Sequence, residues 1–188
     1  MNTAIKKNGV MCGLIIGGLS VITLTLMYIT DLKLFVNMWI GIVMFFVNLA
    51  IGIYAVAKVK KAQGGYATFK EAFTTYFIAM LIGTAINSLY IYLIFNIIDP
   101  EIKPVVTEYV VETTAKMMQG MGAKSADVIK SLEQIRKADS YSIVALAKSY
   151  VWGLLVHIII GLIVAAILKK QNPFSDVTPQ DVNNIGAE

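Results

Sequence analysis

The 188-residue chain has little of what chemical sites are built from. It has one cysteine, Cys12, and one histidine, His157. A lone cysteine cannot close an intrachain disulfide, so Cys12 reports no redox compartment. No proline precedes Pro100, and apart from Glu71 at the start of one, the long apolar runs hold no aspartate or glutamate. Without an acid beside His157, and with Cys12 far from it in sequence, no nucleophile–base–orienter set can be assembled. Gly64-Gly65 do not form a phosphate-binding loop. No basic stripe interleaved with aromatics is present, so nucleic acid is excluded as a partner. The reading is of a protein that is not an enzyme, with no cofactor, no catalytic residues and no metal site.

What the chain does have is apolar residues, 57% of the total, and they come in blocks. A helix needs about 20 apolar residues to cross the hydrocarbon core. Four blocks reach that length, at about 9–30, 35–57, 69–98 and 143–170. The expected class is therefore all-α: a polytopic integral membrane protein of four transmembrane helices. Residues 1–98 hold the first three spans and 143–170 the fourth. Between them, 99–142 is an extramembrane helical insertion, and 171–188 is a polar tail expected to be disordered. Lys6 and Lys7 before the first block resemble a signal-peptide start, but no small-residue cleavage site follows, so the block is read as a retained anchor.

Local signals punctuate these blocks. Thr68-Phe69-Lys70-Glu71 has the spacing of a capping box and predicts a helix start near Phe69. Asp99-Pro100 stops that helix. Within the insertion, Val105–Met118 is compatible with a helix, and Gly120-Met121-Gly122 breaks it. Ser125 is expected to cap a second helix, whose Val128, Leu132 and Ile135 form an apolar stripe.

The net charge of +4 is concentrated at block ends: Lys6 and Lys7, then Lys58, Lys60 and Lys61, then Lys169 and Lys170. Lysine-rich short loops stay in the cytoplasm. Both termini are thus expected there, with 99–142 outside. The lipid bilayer is the first partner implied, and a homo-oligomer or another membrane protein the next.

Small and polar residues suggest how the spans pack. Gly9, Gly13 and Gly17 repeat every four residues in the first span, the spacing that lets helix backbones approach closely. Packing within the chain is favoured over a dimer seam. Gly83 in the third span, and Gly153 and Gly161 in the fourth, extend the set of candidate packing glycines. His157, Asn48 and Asn87 form the candidate intramembrane polar site, able to hydrogen-bond across helices. An ionisable group at this depth is a functional candidate by default, but a neutral, satisfied histidine is the favoured reading. Met117, Met118 and Met121 carry thioethers suited to Cu(I), though an adaptable apolar face is favoured. Glu108 and Glu112 share one helix face and could attract a cation, but a solvated face fits them better.

The stretch Gly64-Gly65-Tyr66-Ala67-Thr68-Phe69-Lys70-Glu71-Ala72-Phe73 resembles the hallmark of a bacterial family of four-span membrane proteins, domain of unknown function 4199. Ile98-Asp99-Pro100, Lys169-Lys170 and Pro173 fit the same pattern. The resemblance covers about residues 5–172. It implies the four-span layout and an inner-membrane location, and it transfers no activity, ligand or functional residue. The functional expectation is a non-enzymatic accessory or scaffold component acting through helix–helix and extramembrane contacts. The alternative is a small oligomeric transporter or channel with a polar path near His157.

Overall fold

The computed structural model describes residues 3–171. Its helices are α1 (Thr3–Thr30), α2 (Met38–Ala62), α3 (Phe69–Leu93), α4 (Ile102–Gly120), α5 (Ser125–Lys137) and α6 (Ile143–Leu168). A 3-10 turn, Leu32–Val36, joins α1 to α2, and a π turn, Ile94–Ile98, extends α3. α1, α2, α6 and α3 with its π turn are long and apolar enough to cross a membrane, which makes this a multi-pass membrane protein in contact with the bilayer. The expected disorder of the tail falls on residues after Gln171, outside the described residues.

Helix ends differ from the apolar limits where capping chemistry differs from hydropathy. α1 begins at Thr3 rather than Gly9, because Lys6, Lys7 and Asn8 are polar without being helix breakers. α2 begins at Met38, not Phe35. Asn37 caps it by accepting from the Trp39 N–H at 3.0 Å, and Asp31 caps the 3-10 turn in the same way at the Lys33 N–H. α2 then runs on through its lysines to Ala62 and closes in a Schellman motif. The Gly65 N–H donates to the Lys60 carbonyl at 2.8 Å and the Gly64 N–H to Lys61 at 3.3 Å. The φ angles of +72° and +93° at Gly64 and Gly65 require glycine there. The capping box is present: Thr68 Oγ1 accepts from the Glu71 N–H and Glu71 Oε2 from the Thr68 N–H. Ser125 does not cap α5. Lys124 occupies the cap position without a side-chain bond, and Ser125 is the first helical residue.

α3 is the hub, packing against α1, α2 and α6. Its closest seam is with α1. A Cβ added at Gly9, Gly13 or Gly17 would lie 2.9, 2.8 or 2.5 Å from Ile78, Ile82 or Ile86, respectively. Each four-residue step on α1 meets a four-residue step on α3, so the two helices run parallel. Gly83 returns the fit by receiving Ile16. α6 lies on α3 through its last third, where Gly161, Val164 and Ala165 are buried and Gly161 faces Tyr76 and Phe73. α2 is likewise buried only toward its end, at Gly52, Ala55, Val56 and Val59.

The lysine-rich end is closed by the segments that carry the family resemblance. Ala67 and Lys170 exchange two backbone hydrogen bonds, at 2.9 and 2.8 Å. Lys60 Nζ donates to the Leu168 carbonyl at 3.0 Å, and Lys170 Nζ stands 5.3 Å from the Tyr66 ring centre. At the other end, Tyr28 donates to Asp99 at 3.0 Å.

Candidate functional site: an intramembrane cavity

Toward the end away from the lysines, α2 leans away from α1 and α3 and leaves a cavity of about 450 Å³. Its walls come from the second half of α1, the first half of α2 and the second half of α3. Phe35, Phe95 and Tyr141 line its upper part. Phe95 stacks on Tyr141 with ring centres 3.9 Å apart and meets Phe35 edge-on at 5.4 Å. Burial raises the Tyr141 phenol above its ordinary range, so it stays protonated at neutral pH.

That roof is held by a polar knot. The π turn carries Asn96, whose Nδ2 donates to the carbonyls of Tyr92 (3.1 Å) and Tyr141 (2.8 Å). Lys103 Nζ donates to Asn96 Oδ1 at 2.7 Å and lies 3.9 Å from Asp139. π turns recur at functional sites because the widened backbone re-aims side chains. Here it puts one asparagine between α3, α4 and the start of α6.

The polar wall consists of Ser20, Thr23, Thr84, Asn48 and Asn87, with Asn37 at the mouth. The hydroxyls of Ser20, Thr23 and Thr84 donate to the carbonyls one turn back, at Ile16, Leu19 and Met80. Thr23 Oγ1 also lies 3.6 Å from Met44 Sδ. Asn48 Oδ1 is buried and has no hydrogen-bond partner among the described residues. Such a group costs about 1–3 kcal/mol unless something satisfies it.

The three polar residues expected to converge do not. Asn48 and Asn87 line the cavity; His157 does not. His157 Nδ1 instead faces the Tyr76 hydroxyl at 3.4 Å, the long limit for a hydrogen bond. Of the candidate packing glycines, Gly9, Gly13, Gly17, Gly83 and Gly161 sit in tight helix contacts, whereas a Cβ at Gly153 would meet nothing within 4 Å. Ser20, Thr23 and Thr84 were missed as wall residues. Their signal was a polar residue on the same face as Gly17, Gly13 and Asn87, at spacings of three and four.

Outside the spans, Glu108 is held by Arg136 through bonds of 2.6 and 3.2 Å, and Glu112 by Lys116 at 2.7 Å. Those hydrogen bonds lower both carboxyls below their usual range. Met117 and Met121 are exposed near the end of α4.

No curated protein and no solved structure matches the chain. The family model described as Protein of unknown function (DUF4199) matches residues 11–170. With most of its length covered, the chain belongs to that family.

Proposed function

We propose that the protein is a non-enzymatic accessory component of a bacterial inner membrane, with both termini cytoplasmic and α4–α5 outside. It acts through helix faces in the bilayer and through the α4–α5 hairpin. The observation that carries this reading is how the hairpin is mounted. Val106 of α4 is buried against the bundle, Lys33 lies 5.6 Å from the Tyr109 ring centre, and Lys103 ties α4 to Asn96. α5 is fastened to α4 by Glu108 and Arg136. The hairpin is thus docked on the spans through the first half of α4, and it leaves Met117, Met121 and Ile129 exposed. A partner bound there would be coupled to the membrane helices. The first half of α6 adds an exposed apolar face with Val144, Val151 and Trp152. The orientation rests on the lysines of the α2–α3 loop and of the end of α6.

The second reading is a small oligomeric transporter. Asn48 and Asn87 on the cavity wall favour it. His157 stands apart from them, so a polar path through this one chain would not include it. Native mass spectrometry of the protein extracted from its own membranes in mild detergent separates the two. The accessory reading predicts a foreign protein at fixed stoichiometry, lost when Met121→Glu and Ile129→Glu are introduced. A partner-free homo-oligomer that moves a solute in liposomes contradicts it.

A further inference from the structure

We propose that the α1–α2–α3 cavity is a binding site for a neutral, single-chain amphiphile bearing hydroxyl donors, taken sideways from the half of the bilayer away from the lysine-rich end. The proposal concerns a small ligand and stands or falls separately from the accessory reading.

Three features define the occupant. The first is polarity. The protons of Ser20, Thr23 and Thr84 are directed to backbone carbonyls of their own helices. What these side chains offer the cavity is therefore lone pairs. Asn48 Oδ1 adds a buried acceptor without a partner among the described residues. The Asn48 and Asn87 amides also carry N–H donors, so the wall can bond a ligand either way, but only a ligand that donates can satisfy Asn48 Oδ1 and the hydroxyl lone pairs. The second is charge. No carboxylate, ammonium or guanidinium lines the cavity among the described residues. A charged head group would have no counter-ion at this depth and would stay at the interface. The third is size and access. About 450 Å³ lies toward the low end of small-molecule sites, which run from roughly 300 to 1,000 Å³. That suits one chain rather than two. The cavity shares Phe35, Asn37, Gly41 and Phe45 with a shallow groove along the lipid-facing side of α2. Gly41 and Phe45 are exposed, so the mouth opens to lipid tails rather than to water. The aromatic trio of Phe35, Phe95 and Tyr141 covers the cavity at the bundle's end.

Gly41 provides a clean block. A Cβ added there meets no atom within 4 Å, so a Gly41→Leu side chain starts in open space at the mouth. Asn48→Leu removes the unpaired acceptor and breaks no hydrogen bond found among the described residues.

The test compares 1-oleoylglycerol with methyl oleate, which has the same chain and no donor. Each is titrated into the purified full-length protein in mild detergent, and adducts are counted by native mass spectrometry. The expected result is one 1-oleoylglycerol per chain, bound about ten-fold more tightly than methyl oleate, the worth of one or two buried hydrogen bonds. Asn48→Leu should bring the ratio toward one, and Gly41→Leu should weaken both ligands. Equal binding of the two ligands to the unaltered protein overturns the proposal, whatever the variants do. So does a ladder of many adducts per chain, or Gly41→Leu binding like the parent.

Discussion

Thr68 shows what a single residue can settle locally. Its hydroxyl and the Glu71 carboxylate satisfy each other's backbone donors, and the start of α3 depends on them. Thr68→Ala should cost about 1 kcal/mol, read as a lower melting temperature in detergent. Capping boxes lie within one turn of chain, so this one was legible from four letters. The partner of His157 was not, because it belongs to another span. An asparagine or a backbone carbonyl was the expected partner, and the Tyr76 hydroxyl stands there instead, at 3.4 Å. A bond that long holds little, so Tyr76→Phe should lower stability by less than about 1 kcal/mol. A much larger loss would mean that the hydroxyl holds more than an imidazole. Asn48 and Asn87 were legible as polar residues in the bilayer, but not as walls of one cavity. That depends on α2 leaning away from α1, which no local pattern encodes.

At the scale of elements, the α1–α3 seam carries the sharpest contrast. A side chain at Gly83 would collide with Ile16, whereas one at Gly153 meets nothing. Gly83→Val should destabilise the bundle by about 1–3 kcal/mol or more, and Gly153→Val should leave its melting temperature almost unchanged. The four-residue glycine spacing made close packing legible. Which helix fills the groove was not, because α1 passes over its chain neighbour α2 to find α3, with which it runs parallel. Gly153 carries the same sequence signal as Gly161 without a contact: α6 buries its backbone face against α3 only in its last third, and before that reaches α3 through the longer side chains of Tyr150 and His157. The hairpin makes a pH prediction. Arg136 lowers the Glu108 carboxyl in the folded protein. Its contribution is present at neutral pH and lost as the pH falls through the depressed carboxylate range. Amide protection in α5, taken relative to the intrinsic exchange rate at each pH, should therefore fall on acidification, and Arg136→Ala should produce the same loss of protection at neutral pH. Protection indifferent to both changes would mean that the Glu108–Arg136 pair does not hold α5.

For the whole molecule, the four crossings were legible because block length is set by the thickness of the bilayer. The placement of α3 at the centre was not, since hydropathy counts spans without ordering them. The resemblance had drawn on segments far apart in the chain, and the structure gives those it describes structural roles. Tyr66 and Ala67 meet Lys170 at one end of the bundle, and Asp99 holds Tyr28 at the other. These contacts tie the ends of α2, α3 and α6 together and set which loops share a side of the membrane. Cysteine accessibility measures that arrangement most directly. In a Cys12→Ala background, Gly120→Cys and Ala62→Cys, at exposed helix ends, are labelled in intact cells with a membrane-impermeant maleimide, then again after permeabilisation. The arrangement requires that Cys at 120 react from outside and Cys at 62 only after permeabilisation. Labelling of both positions from the same side would contradict the four-span arrangement.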